Sequence, residues 1–340
     1  MLPKMRALRA LLPFAAFLSL ISAPALADGN VAELKAAYKR PLDIPFPKDA
    51  PYSPQIATLG KMLFFDPRVS GAQNLSCASC HNPSFGYEVP VPGAIGAANI
   101  PLPRKAPTVL NAAYTPIFFW DGRAPTLESQ AAGPIGAPGE MNGNFDDILK
   151  RIHAIPEYDG WFKRLFPTEG ATKDSVLRSI ATYERTVVTG WAPFDRWIDG
   201  DENAISDQAK RGFVLFNGTA GCAGCHTGWN FSDNQFHNVG IGDTDIGRGK
   251  YEPNNLEAQG AFKTPGLRNL IYRAPFGHAG QFPDLRAIIK FYQSGGVNSP
   301  SKSLLIQPFS LNTGETEDLI AFLKSLTAEK VETPLPNLPN

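Results

Sequence analysis

The sequence predicts a mainly α fold in two similar halves joined by long loops rich in proline and glycine, and three observations lead there. Apolar residues recur at helical spacing in several segments, while no strong alternating strand pattern occurs. One Cys-x-x-Cys-His motif lies in each half, Cys77-Ala78-Ser79-Cys80-His81 and Cys222-Ala223-Gly224-Cys225-His226. Between the helical segments the chain spends 31 glycines and 31 prolines.

Residues 1–27 read as a secretory signal peptide. Lys4, Arg6 and Arg9 precede an apolar run from Leu11 to Ile21, and Ala25-Leu26-Ala27 supplies small residues before Asp28. The run is shorter than the roughly 20 residues a spanning helix needs, and Pro13 and Pro24 interrupt it, so a cleaved leader is expected rather than an anchor. The mature chain should start near Asp28 and reside in the periplasm. No later stretch is comparably apolar, so no membrane insertion is expected. With 32 basic and 32 acidic side chains, nothing suits nucleic acid.

The helices follow in order. One ends in Gly60-Lys61-Met62-Leu63-Phe64-Phe65, just before the first motif. Another begins near Asn144, with Phe145, Ile148, Leu149 and Ile152 on its apolar stripe. The clearest runs from Lys173 to Thr189, with Thr172 as N-cap, Val176, Ile180, Tyr183 and Val187 on one face, and Gly190 as a stop. One begins near Ser206 and ends in Gly212-Phe213-Val214-Leu215-Phe216, before the second motif. Pro283 can start a helix carrying Leu285, Ile288, Ile289 and Tyr292, and a last one lies near Thr316, with Leu319, Ile320 and Leu323. The Gly-x-x-x-Phe endings before both motifs suggest one unit used twice. The expected division is an N-terminal domain over 28–195 and a C-terminal domain over 196–340, with the boundary between Trp191 and Ser206.

The motifs account for every cysteine of the chain. Two thiols at this spacing can bond to the two vinyl groups of one haem, and the adjacent histidine can supply an axial nitrogen. A redox disulfide or a zinc site are the other uses of Cys-x-x-Cys. Both copies are followed directly by histidine and neither has a second ligand pair nearby, which favours two covalently bound haem c groups. A buried macrocycle supplies much of an apolar core, so each half is expected to be a cytochrome-c-like domain holding one haem.

Several ordered blocks resemble the bacterial di-haem cytochrome c peroxidase family, which includes the MauG-type enzymes, over nearly the whole mature length. They are Leu59-Gly60-Lys61-Met62-Leu63-Phe64-Phe65-Asp66-Pro67-Arg68, the first haem motif, Ala106-Pro107-Thr108 and Phe119-Trp120-Asp121-Gly122-Arg123-Ala124. Leu127-Glu128-Ser129-Gln130, Gly133-Pro134-Ile135 and Glu140-Met141 continue the series. The second haem motif, Lys263-Thr264-Pro265-Gly266-Leu267-Arg268-Asn269 and His278-Ala279-Gly280 complete it.

The resemblance implies that the N-terminal haem meets hydrogen peroxide and the C-terminal haem stores or relays an oxidising equivalent. His81 and His226 are then the proximal ligands. Glu140 and Gln130 become the distal peroxide-handling residues, with Pro134 lining the same pocket, and Trp120 carries electrons between the haems. A carboxylate beside iron can move a proton from the inner to the outer peroxide oxygen, and an amide can hold the bound species without titrating. Taken alone, Glu140 would read as a solvated loop carboxylate and Trp120 as a packed core aromatic.

The chain departs from the peroxidase pattern at both distal positions. Many family peroxidases carry a removable distal histidine sixteen residues past the proximal one; here that residue is Ala97, and no histidine or methionine lies between His81 and Trp120. The first haem should therefore have an open sixth position. The position of the second haem's distal methionine, fourteen residues past His278, is Tyr292, as in MauG-type members. Outside the leader the chain has only Met62 and Met141. Periodicity alone would make Tyr292 a core tyrosine; the alignment position makes it an iron ligand, and a phenolate favours ferric and higher-valent iron.

Three further positions complete the comparison. Family members hold calcium between the domains through carbonyls that map to Arg273 and Pro275 and an asparagine that maps to Lys105; an ammonium opposes the ion, which leaves calcium in doubt unless Asn99 or Asn111 substitutes. A surface tryptophan of MauG-type members falls on Ala220, and the sequence does not choose among Trp229, Trp191 and Trp197 as another exit. His237 and His278 are read as packing or propionate supports, and His153 as exposed.

The expected function is a peroxide-using oxidoreductase that oxidises a tryptophan or tyrosine of a protein partner. The alternative is a cytochrome c peroxidase drawing on a small cytochrome or cupredoxin donor, and a non-enzymatic electron carrier ranks third. The sequence assigns no oligomeric state.

Overall fold

The computed structural model describes residues 28–330 and 332–340, so the leader read in residues 1–27 lies outside the described residues. The first half holds α1 (Asp28–Ala36), α2 (Pro54–Phe65), α3 (Cys77–Cys80), α4 (Leu127–Gly136), α5 (Phe145–Ala154), α6 (Pro156–Leu165) and α7 (Lys173–Thr186). The second holds α8 (Pro193–Ile198), α9 (Asp207–Asn217), α10 (Leu285–Gln293) and α11 (Thr313–Ser325). Extended pairing is confined, among the described residues, to a two-residue antiparallel ladder, β1 (Phe236–His237) with β2 (Phe262–Lys263), and isolated bridges. The mainly α expectation holds. No helix among the described residues is long and apolar enough to cross a membrane.

Local chemistry fixes the helix starts. Thr172 accepts from Ser175 N, Asn144 from Asp146 N, Ser206 from Ala209 N and Asn312 from Glu315 N, each satisfying a free amide of the first turn. Three boundaries differ from the sequence reading. The helix expected to reach Thr189 stops at Thr186, because Val187 O accepts from Asn111 N at 2.8 Å and Thr189 N donates to Asn111 Oδ1 at 3.0 Å. Asp284, rather than Pro283, caps α10, and α11 starts ahead of Thr316 because Asn312 and Glu315 form a reciprocal capping box. The sequence reading did not delimit α4, α6 and α8; α6 and α8 open on proline and α4 contains one.

The repeated endings before the motifs have a packing cause. α2 packs on α7, and α9 packs on α11. A β-carbon on Gly60 would lie 1.8 Å from Ser179 O, and one on Gly212 would lie 2.0 Å from Asp318 O. Each glycine therefore lets its helix backbone touch the backbone of the partner helix, which no larger residue allows.

Two large hydrophobic clusters and one small one result among the described residues. Of the large ones, one gathers Leu59, Leu63 and Phe64 of α2 with Ile148, Phe162 and Ile180; the other gathers Phe194, Phe213, Phe216, Phe231, Leu319 and Phe322. The chain ends cross over between them. Tyr38, beside α1, is buried in the second cluster, whereas Leu338 packs against the first.

Candidate haem sites

The two motifs are built alike. His81 N donates to Cys77 O at 2.9 Å and His226 N to Cys222 O at 2.9 Å, so each histidine closes the turn begun by its first cysteine. His81 Nδ1 lies 3.2 Å from Tyr87 O, and His226 Nδ1 lies 2.9 Å from Phe231 O. With Nδ1–H donating to these carbonyls, Nε2 of each ring carries the free lone pair that an iron ligand needs. Burial holds both imidazoles below their ordinary range, which keeps them neutral.

The cysteines are poor thiolates. Burial pushes Cys80 and Cys225 up to about 11 and Cys222 up to about 12, the opposite of the lowered value a disulfide-exchange site requires. The one His/Cys/carboxylate group close enough to hold a metal ion, among the described residues, is Cys225, Asp233 and His237. Its His237 Nε2 and Asp233 Oδ2 already meet at 2.8 Å, and Cys225 belongs to the attachment motif. The donor set fits a covalently held haem better than zinc or a redox disulfide.

At the second motif a cavity of about 220 Å³ opens directly onto Cys222, Cys225 and His226. Its apolar wall includes Phe216, Leu285, Ile289 and Leu319. Tyr292, on α10, lines the same cavity. Burial pushes its phenol well above the ordinary range, with Cys222 and Cys225 adding to the effect, so Tyr292 and the attachment cysteines share one electrostatic environment. His278 also borders the cavity, stacked on Phe262 at 3.7 Å between centroids and 2.9 Å from Asp243 Oδ2. His153 is exposed and sits 3.2 Å from Asp159.

Near the first motif, Gln130 and Pro134 stand one turn apart on α4 and therefore share a face. Pro134 has no amide to donate to Gln130 O, so the helix is weakened at this point. The chain then folds back sharply: Glu140 N donates to Ala137 O at 3.0 Å, Met141 N to Pro134 O at 3.0 Å and Gly143 N to Ile135 O at 2.7 Å. This returns Glu140 toward the motif, where its carboxylate raises the Cys80 thiol. Burial pushes the Glu140 carboxyl itself above the usual carboxylate range, with Arg123 opposing.

The loop bearing Ala97 is fastened to the same turn. Ala97 N donates to Glu140 O at 2.7 Å, and a β-carbon on Gly96 would fall 1.9 Å from Gly139 O. On the other side, Arg123 lies 3.4 Å over the Phe119 ring and bonds to buried Asp121. The residue next to Phe119, Trp120, is pinned at both ends. Its Nε1 donates to Lys105 O at 2.8 Å, and its carbonyl accepts from Lys263 N of β2 at 2.8 Å. Trp120 lines both the large cavity and a second one of about 80 Å³ between the halves.

Two parts of this arrangement were not read from the sequence. Glu88, 4% exposed, meets Lys105 Nζ at 2.6 Å and Arg273 Nε at 2.8 Å, and no motif announces it. Glu184 is buried on α7; burial pushes the Cys77 thiol up, and Glu184 adds to the effect. Of the tryptophans left open as exits, Trp197 and Trp229 are buried and Trp191 is 51% exposed; Ala220 is buried.

Comparison with known proteins bears on this arrangement. Residues 54–203 match the family described as di-haem cytochrome c peroxidase. The chain is 47% identical over 326 residues to the methylamine utilization protein MauG of Methylorubrum extorquens, covering 94% of this chain and 92% of that one. It is 32% identical to the cytochrome c551 peroxidase of Pseudomonas aeruginosa, over 97% and 95% of the two chains. Among solved structures, a MauG-like protein associated with microbial copper homeostasis superposes with a TM-score of 0.80 at 29% identity, covering 86% of this chain and 95% of that one.

Proposed function

Because the chain belongs to the di-haem cytochrome c peroxidase family that includes MauG, it is an oxidoreductase with two c-type haems and peroxide as substrate, and we propose that it acts by oxidising a residue of a protein partner. One observation carries the proposal, the inequality of the two distal sides. Tyr292 shares a cavity with His226, while the loop position that would close the first site is an alanine tied to the Glu140 turn at 2.7 Å.

Cys77, Cys80 and His81 would hold one haem, and Cys222, Cys225, His226 and Tyr292 the other; when bound, these groups would supply one-electron chemistry and the reduction of peroxide. The protein's own residues set the conditions. Glu140 would move a proton from one peroxide oxygen to the other, a task that suits its carboxyl, which burial raises above the usual carboxylate range. Gln130 orients the peroxide by hydrogen bond without changing charge. Trp120 is the relay, a role supported by its place lining both cavities and by the 2.8 Å bond from its Nε1 to Lys105 O. The leader in residues 1–27 and the covalent mode of haem attachment support a periplasmic location.

The test adds one equivalent of hydrogen peroxide to the diferric protein and records visible and near-infrared spectra. A near-infrared charge-resonance band, with slow turnover of a reduced small c-type cytochrome, is the expected result. Rapid peroxide-dependent turnover of that cytochrome without the band would replace this reading with the peroxidase one.

A further inference from the structure

The junction between the halves contains a cation that is part of the chain. Lys105 is 2% exposed, and its Nζ donates to Glu88 Oε2 at 2.6 Å and to Val89 O at 2.8 Å. The other Glu88 oxygen accepts from Arg273 Nε at 2.8 Å, and Arg273 Nη1 continues to Gly266 O at 2.9 Å and Arg268 O at 3.0 Å. The Lys105 backbone is equally committed. Its N–H donates to His278 O at 2.8 Å, and its carbonyl accepts from Trp120 Nε1 at 2.8 Å.

The calcium ion implied by the family does not fit here. Calcium requires six to eight oxygen ligands. At this junction the carboxylate has both oxygens engaged by cationic side chains, and an ammonium stands where an asparagine amide would have to ligate. The two possible substitutes are elsewhere: Asn99 is exposed, and the Asn111 side chain is taken by Asn230 at 3.0 Å and Thr189 at 3.0 Å. A divalent ion would also meet two positive charges across a buried carboxylate, where such charges are weakly screened.

We propose that the Lys105 ammonium takes the place of the interdomain calcium ion, as a tethered cation that organises Glu88 and Arg273 and fixes Trp120 and His278 through its own peptide groups. Chelators cannot remove such a cation, so the junction keeps its geometry without divalent metal. The effect on Trp120 rests on the relay reading above; metal independence does not.

The test uses the dialysed holoprotein. Elemental analysis should find no stoichiometric calcium, and neither EGTA nor added CaCl2 should shift the melting temperature or the haem spectra. Stoichiometric calcium, or a shift on chelation, overturns the proposal without any variant. Lys105→Met should lower the melting temperature in EGTA, and an unchanged value would remove the organising role. Lys105→Asn should be destabilised in EGTA and restored by CaCl2; no response to calcium would show that the position is not a cation site. Trp120→Phe separates the two readings: if it leaves the peroxide-induced near-infrared band intact, the relay reading fails while the calcium results stand.

Discussion

Glu184 carries its carboxyl into the protein interior at 4% exposure, with Oε2 lacking a hydrogen-bond partner. Burial pushes it up to about 8, with Arg185 opposing. The unfolded chain releases this proton near the ordinary glutamate value of about 4.3. Between those values the native state binds more protons than the unfolded state, so stability falls as pH rises through the window and levels off above it. Glu184→Gln keeps the shape of the protonated acid and should be more stable than the parent by a few kcal/mol at about pH 8, with little difference at about pH 5. Urea unfolding of both holoproteins at the two pH values checks this; an equal difference at both would mean that Glu184 is ionised in the native state. Glu140→Gln should slow the reaction with peroxide by about 10²-fold or more in stopped-flow absorbance, the contribution expected of the proton shuttle proposed for Glu140. Glu140 was legible in the sequence only through the blocks around it. Glu184 was not legible, because the apolar stripe through Ile180, Tyr183 and Val187 gives no sign that the adjacent Glu184 and Arg185 are buried as well.

Helices carried the most readable part of the chain. The cap at Thr172 and the helix starts near Asn144 and Ser206 were visible because short polar side chains preceded apolar stripes, and the structure uses all three residues as caps. The end of α7 was not, because it depends on Asn111, which is distant in sequence and claims Val187 O and Thr189 N. The echo between Gly60 and Gly212 was visible as a pattern, but its cause became visible only once α2 met α7 and α9 met α11. That cause yields a paired prediction. Gly60→Ala and Gly212→Ala each force a methyl into a backbone carbonyl, at 1.8 Å and 2.0 Å, with Tyr183 Cβ and Phe322 Cβ close behind. Helix propensity alone would make both substitutions stabilising by up to about 1 kcal/mol. Overpacking should win, with a net loss of about 2 kcal/mol or more in denaturant unfolding. A gain in stability for either variant would mean that its helix pair can separate without cost.

At the scale of the whole molecule, the two halves are tied by their own ends. Near the N-terminus, Tyr38 stacks on Phe231 at 4.9 Å, meets Phe213 edge-on at 5.5 Å and donates its hydroxyl to Asn217 Oδ1 at 2.8 Å. Near the C-terminus, Pro339 O accepts from Arg68 Nη2 at 2.7 Å, and Thr333 Oγ1 lies 3.3 Å from the Tyr87 hydroxyl. A cut between residues 195 and 196 therefore separates each core from a segment that fills it. The aromatic cluster that receives Tyr38 belongs to α8, α9, α11 and the loop after the second motif, so the ring links residues before the first motif to the walls of the second site. Tyr38→Ala should cost about 3 kcal/mol, in the range for removing a buried aromatic ring. The loss should be local in the first instance, because hydrogen exchange reports sub-global opening where packing is lost. Hydrogen–deuterium exchange mass spectrometry of the holoprotein should show faster exchange in α9 and α11, with α2 and α7 close to the parent. Equal acceleration in all four helices would instead mean that the two cores open as one cooperative unit, and the crossing ends would then be a cause of that unity.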